Sequence, residues 1–364
     1  MRNFFYITDL SLPSNKAQAV HIFKMLDNFQ DFSKKVVLIS PFTKKVTNIK
    51  KTFNLHSKKK IIIHSVFKEK FVNSFLRRLI FAFKTAQILK KEEGIIITRS
   101  LISSFVLSIL NINHFLEVHQ EIKGITKILL IDLNFINSKN IIKVIFISKG
   151  LANFYSFKKI NKIILHDACE LRDFYKKKPS KVIKNIYYIG SFYKGRGIEM
   201  IEKLASKMTD FNFYAYGMRD EKKISTKNLK FFKIINYSKV GKVLKKADLL
   251  LMPYQSKISI NSKNFNDEIS KFISPLKMFE YLITGIPMIS SNIKVLREKL
   301  IHNHNCLLVD KYENVNDWVK SIKRLKNNYK LRKKISLNAI KTASKNTWRI
   351  RVKKIVKIYN KFHS

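Results

Sequence analysis

Ser274 to Ser290 reads SPLKMFEYLITGIPMIS, and this stretch decides how the chain folds. Ser274 and Pro275 form a helix start, because proline in the first turn loses only an N–H that would have no partner there. Gly285 and Pro287 then end the helix, and Met288 to Ser290 resume as strand. Glu280 is therefore an acid at a helix–strand junction of an α/β domain, with Lys277 in the helix's first turns. In open α/β folds ligands sit outside the carboxyl ends of the strands, where a helix N-terminus offers free N–H groups to an anion. The expectation is a phosphate-bearing ligand; the plainer reading is a capped helix whose acid faces solvent.

Working outward, the same alternation fills the chain. Towards the N-terminus of this stretch lie apolar runs at Ile186 to Ile189, Phe211 to Tyr216, Phe231 to Ile235 and Leu249 to Met252, and beyond it lies Cys306 to Val309, with helical patterns between them. An earlier series runs Phe4 to Ile7, Val36 to Ile39, Ile61 to Ile63, Ile95 to Ile97, Phe115 to Val118 and Val144 to Ile147, with helical stretches such as Ala17 to Phe29, Phe71 to Leu89 and Leu101 to Leu110. Such alternation predicts parallel sheets with helices on both faces, in two doubly wound domains facing a cleft. The polar, basic stretch DACELRDFYKKKPSK after Lys162 to Leu165 reads as the linker. The boundaries follow as 1–167 and 168–344, with a basic helix over 345–364 whose apolar stripe packs back toward the N-terminal domain.

Composition narrows the classes. The 364 residues are 46% apolar, enough for two cores. Cys169 and Cys306 have neither disulfide nor zinc-ligand spacing, so no metal site is expected. The N-terminus lacks the apolar core of a secretory signal, and Ile95 to Val118, the nearest approach to a span, is broken by Arg99, Asn111, Asn113, His114 and Glu117. The expected localisation is cytoplasmic, with peripheral attachment at the inner face of the membrane as a further expectation. The formal charge is +47, from 72 Lys and Arg against 25 Asp and Glu. Nucleic acid, anionic lipid and an AT-rich genome each account for such a charge. The lysines are spread along the whole chain, and the aromatics lie in apolar strands and helices rather than alternating with basic residues, so nucleic acid rests on charge alone.

Four segments can carry chemistry. Gly190 to Gly197, GSFYKGRG, follows a strand and precedes the helix Ile198 to Lys207; its glycines let backbone approach a phosphate that Lys194 and Arg196 neutralise. It matches neither the dinucleotide fingerprint nor the GxxxxGK[ST] loop, and it also reads as a plain turn. Ser274 to Glu280 is the second. In FLEVHQ, Phe115 to Gln120, His119 lies at the carboxyl end of a strand, where a substrate or a purely structural role would suit it. LPSNKAQ, Leu12 to Gln18, opens the helix at Ala17, with Asn15 as the expected N-cap.

Taken in order, these segments resemble the bacterial family 4 glycosyltransferases of cell-envelope polysaccharide biosynthesis. IGSFYKGRGIEMIEKLA, KKADLLLMPYQ and SPLKMFEYLITGIPMISSNIKVLREKL carry the resemblance, supported by LPSNKAQAVHIFKML, IIITRSL, FLEVHQ, ISKGL and NTWRIRVKKIVKIY. It implies the GT-B fold, an acceptor-side N-terminal domain and a C-terminal domain for a nucleotide-sugar donor. It further implies retaining, metal-independent hexosyl transfer to a saccharide or lipid-linked acceptor, with no cofactor. Arg196, Gly197 and Gly190 take the diphosphate turn, Ser274, Pro275, Leu276 and Lys277 the backbone contacts to phosphate, and Glu280 the ribose hydroxyls. His119 falls near the transferred sugar, and Asn15 and Ala17 where the N-terminal loop meets donor and acceptor. Two positions depart from the pattern. Ser191 stands where an arginine is usual, leaving neutralisation to Arg196 and Lys194, and Phe272 stands where a first glutamate is usual, with Asp267 and Glu268 nearby. These departures and the charge keep two other readings open: a non-catalytic GT-B scaffold and a basic RNA-binding protein. The helix FVNSFLRRLIFAFK, Phe71 to Lys84, reads either as a membrane-surface element or as a helix packed on the first sheet.

Overall fold

The computed structural model of the chain describes residues 2–14, 16–44, 48–69, 74–218, 227–259 and 268–364. The chain divides into two compact units, Met1–His166 with Trp348–Ser364, and Asp167–Thr347.

The first unit runs β1 (Arg2–Ile7), α1 (Ala17–Phe29), β2 (Ser33–Ser40), α2 (Ile49–Thr52), β3 (Ile62–Ser65), α3 (Phe75–Leu89), β4 (Gly94–Thr98), α4 (Leu101–Ile109), β5 (His114–Val118), α5 (Ile125–Lys127), β6 (Ile141–Phe146), α6 (Lys149–Phe154) and β7 (Lys162–Ile164). Its strands pair in parallel in the order β3-β2-β1-β4-β5-β6-β7. The central strands β1, β4 and β5 are mostly apolar and buried, as in a sheet covered on both faces, with Glu117 and His114 as buried polar exceptions on β5. Serines start several of the helices: Ser74, Ser100 and Ser148 accept from Arg77 N, Ser103 N and Leu151 N, filling donors that a helix start leaves open.

The second unit runs β8 (Asn185–Ile189), α7 (Ile198–Lys207), β9 (Asn212–Met218), β10 (Leu229–Lys233), α8 (Tyr237–Leu244), β11 (Leu249–Met252), α9 (Leu276–Thr284), β12 (Met288–Ser291), β13 (Leu307–Val309), α10 (Val315–Asn327) and α11 (Tyr329–Ser344). The order β10-β9-β8-β11-β12-β13, all parallel, reverses direction at β8 and β11, the place where doubly wound sheets bind ligands. After Thr347 the last helix, α12 (Trp348–Phe362), joins the first unit and packs on α1, with Trp348 buried edge-on against His21 at 4.9 Å.

Three local readings change. Residues 167–181 are not a free linker but are fastened to the second unit. Asp167 N donates to Ser274 Oγ at 2.9 Å and Lys177 N to Thr284 O at 2.7 Å, while Arg332 Nη2 donates to Lys181 O at 2.8 Å. Two side chains and one backbone carbonyl thus satisfy backbone groups that a polar composition alone would leave to water. Pro275 is the cap residue of α9 rather than its first helical residue, since its extended ψ of 125° places the helix start at Leu276. The cap of α1 is Lys16, without a side-chain bond; Asn15, the expected cap, lies outside the described residues.

Candidate functional site

In the second unit the site grows from the end of β8. Gly197 caps α7 with φ 90°, and a Cβ there would lie 1.9 Å from Pro253 O, so only glycine fits. Gly190 leaves room for Lys277: a Cβ there would lie 2.2 Å from its Nζ, so the lysine end would have to move. The turn is held from beneath by tyrosines. Tyr188 donates its hydroxyl hydrogen to Ser191 O at 2.8 Å, and the Tyr281 hydroxyl accepts from Ile189 N at 2.8 Å.

Arg196 is pre-oriented on this turn. Its Nη2 donates to Ser259 O at 3.2 Å, its Nη1 lies 3.5 Å from the Tyr254 hydroxyl, and its guanidinium stands 5.5 Å from that ring's centroid. Lys277, in the first turn of α9, approaches the same ring: Nζ lies 5.1 Å from the Tyr254 centroid and 4.1 Å from that of Tyr188. Arg196 Nε and Lys277 Nζ are both buried without a hydrogen-bond partner among the described residues. Burial first, then Arg196, holds the Lys277 amine well below the usual lysine range, against the opposing pull of Glu280. A guanidinium and an amine with spare donor nitrogens, at a glycine turn and a helix start, can hold an oxyanion with several oxygens.

The other expected residues fall around this centre. Glu280 is buried on α9, three residues after Lys277. Lys194 is exposed on the turn, and its carbonyl accepts from Ser259 N at 3.1 Å. The Ser274 hydroxyl caps no helix, since it accepts from Asp167 N. Pro275 and Leu276 form the start of α9. Phe272 is buried and apolar, so it cannot replace a carboxylate; Glu268 accepts from the Ser270 hydroxyl, and Asp267 lies outside the described residues.

The first unit carries its own polar centre at the carboxyl end of β5, where sequence reasoning found His119 but not its surroundings. Glu117 is fully buried and accepts from Tyr6, His21 and Arg351, His21 Nε2 lying 3.1 Å away. Burial alone would raise its carboxyl, yet His21, Arg351 and His119 hold it well below the ordinary range. His119 Nε2 stands 3.5 Å from the same carboxylate, and burial and Arg99 push its imidazole down to about 3, so the ring is neutral near pH 7. Ala17 is the exposed first residue of α1. Among the described residues His21, Glu117 and His119 bring three ligand-type atoms within 4.8 Å, but the cation on Glu117 is the Arg351 guanidinium, which fits a charge network. Asp9 Oδ1 and Arg99 Nη1, just beyond β1 and β4, are buried without partners among the described residues, and neither residue was read from sequence as part of a site. Nothing in their local pattern marks them, whereas Tyr188 and Tyr254 could have been flagged as aromatic residues ending strands beside a basic turn.

Two Rossmann-like parallel-sheet units, the second with a glycine turn and cations where its strand order reverses, define the GT-B fold. Residues 186–342 match the family model described as glycosyl transferases group 1. Over the whole chain the fold is similar to sucrose-phosphate synthase from Thermosynechococcus elongatus, with a TM-score of 0.74 and 13% identity, covering 100% of this chain and 99% of that one. A glycosyltransferase from Rickettsia africae ESF-5 gives 0.74 and 14% with the same coverage. Anabaena Alr3699/HepE, solved with UDP and glucose, gives 0.72 and 11%, covering 99% of this chain and 100% of that one. Among curated proteins none matches the sequence. None of the described helices is long and apolar enough to cross a membrane.

Proposed function

We propose that this chain is a retaining, metal-independent glycosyltransferase that moves a hexosyl group from a nucleotide sugar to a saccharide or lipid-linked acceptor of the cell envelope. The observation that carries the reading is the pairing of Arg196 Nε and Lys277 Nζ, two buried nitrogens without a hydrogen-bond partner among the described residues, beside the glycine turn of the segment that matches glycosyl transferases group 1. The donor diphosphate would lie on Arg196, Gly190, Gly197 and the start of α9 at Ser274 to Lys277, with Glu280 on the ribose. As the bond from the anomeric carbon to the phosphate oxygen breaks, negative charge grows on the leaving diphosphate, where fixed donors lower its energy. The acceptor oxygen forms the new bond on the same face and its proton passes to a phosphate oxygen. His119, neutral and at a strand's carboxyl end, suits a contact to the transferred sugar, and Ala17 marks the loop nearest the acceptor. The UDP in the Anabaena structure supports uridine donors as the first to test.

Calorimetry with UDP, GDP and ADP at physiological salt tests this reading. One nucleotide is expected to bind selectively, and Glu280→Gln to weaken it about tenfold, the loss of roughly one hydrogen bond to a charged group. Failure of all three to bind would replace this reading with a non-catalytic scaffold or an RNA binder, the latter recognised by a steep salt slope.

The same protein is proposed to work at the cytoplasmic face of a membrane through α3. Leu76, Ile80 and Phe83 are 64%, 39% and 44% exposed and fall within roughly 60° of one another around the helix, while Phe81, Ala82, Thr85 and Leu89 face the core. Arg77 and Lys84 lie along one edge of the strip, as in a helix lying in a lipid interface, whereas Arg78 is on the core side, towards the buried Asp9. Flotation with anionic vesicles should recover the native protein, and Leu76→Asp with Phe83→Asp should reduce recovery at least tenfold. Equal flotation of both would sink the membrane reading and leave the transfer reading intact.

A further inference from the structure

The Lys277 side chain ends in a buried amine whose described surroundings do not satisfy it. Its Nζ has no hydrogen-bond acceptor among the described residues and lies against the turn, 2.2 Å from where a Gly190 Cβ would be. The groups facing it are the Arg196 guanidinium from the turn, the Tyr188 ring from β8, the Tyr254 ring after β11 and, on its own helix, Glu280. Aromatic faces attract a cation by less than leaving water costs an ion. The unliganded pocket therefore disfavours the ammonium, and a second fixed cation on Tyr254 disfavours it further. A bound diphosphate reverses both effects, since its oxygens supply the missing acceptors and its charge outweighs that of Arg196.

We infer that the Lys277 side chain is the second cation of the diphosphate site, in place of the arginine absent at Ser191, and that it takes a proton from solvent as the diphosphate enters. The inference rests on the proposed donor site and adds to it a side-chain role and a proton. The neutral amine and one proton from the buffer become the ammonium, with no covalent bond made or broken to the ligand. Lys194 is left out of this role because its side chain is exposed, where an ion pair with phosphate is worth little.

Calorimetric titration of UDP and of inorganic pyrophosphate, each in two buffers of different ionisation enthalpy at one pH, reads both affinity and protons taken up. The native protein is expected to take up a measurable fraction of one proton. Lys277→Met should weaken both ligands roughly 10- to 100-fold, as loss of a charge-assisted hydrogen bond does, and remove the uptake. Lys277→Arg, always charged, should keep affinity within about threefold and also remove the uptake; the ligand's own titration is common to both proteins and cancels. Unchanged affinity in Lys277→Met, or the same uptake in Lys277→Arg, would overturn the inference while Glu280-sensitive nucleotide binding still stood. Tighter binding of UDP than of pyrophosphate supports a nucleotide diphosphate as the occupant, and equal affinity overturns that assignment. Binding of neither by the native protein overturns this inference together with the donor site itself.

Discussion

Replacing Arg196 with alanine is expected to lower sugar transfer by roughly 10²- to 10³-fold, the cost of removing one fixed donor aimed at developing charge. The expectation comes from how the side chain is held. Ser259 O and the Tyr254 ring orient the guanidinium, while Nε stays unpartnered, so donor capacity is in place before a ligand arrives. In the proposed transfer such pre-orientation acts on kcat through the additional negative charge that develops as the diphosphate leaves. Arg196→Lys should recover only part of the loss, since an ammonium cannot reproduce the planar fork over Tyr254. A structural defect would instead lower the melting temperature and leave the turnover of the folded fraction intact. Unchanged kcat in a well-folded Arg196→Ala protein would remove the residue from the reaction.

The contrast between Arg196 and Lys277 shows what a sequence reveals. Arg196 could be found because it belongs to a local pattern of strand, glycine turn and helix, each part with its own signature. Helices α1, α7 and α12 and strand β11 fall where periodicity places them, at Ala17–Phe29, Ile198–Lys207, Trp348–Phe362 and Leu249–Met252. Lys277 was legible as a residue of a helix's first turn, but not as a buried amine between Tyr188 and Tyr254, because that box is assembled from three separate strand–helix units. The stretch 167–181 misled for a related reason: its polarity looks like a linker until Ser274, Thr284 and Arg332 are seen to satisfy it. The short helical turns between Ile125 and Asn137 lacked the length for any period to show. Asp9 and Arg99 acquire meaning only when β1 and β4 become neighbours in the sheet.

Glu117 is the clearest case of chemistry that periodicity hides, and Glu117→Gln is expected to destabilise the first unit by about 3–5 kcal/mol in urea unfolding, as breaking a buried ion pair does. Its partner Arg351 is 234 residues away and almost fully buried, and that arginine also donates to Leu165 O and His166 O. The glutamine would keep its shape but lose the charge that offsets a buried guanidinium, and its one carbonyl oxygen could not accept both from Tyr6, which bonds Oε2, and from His21 and Arg351, which bond Oε1. Arg351→Met should cost a comparable amount, because it strands the carboxylate instead. The double variant Glu117→Gln, Arg351→Met should then lose less than the sum of the two, by 1 kcal/mol or more, since coupled residues are not additive. Additive losses would mean that the carboxylate is held by Tyr6 and His21 and that Arg351 serves only the two carbonyls. A positive coupling would make α12 an electrostatic part of the wall behind His119, so that the last helix of the chain sets the surroundings of an imidazole on β5's carboxyl end.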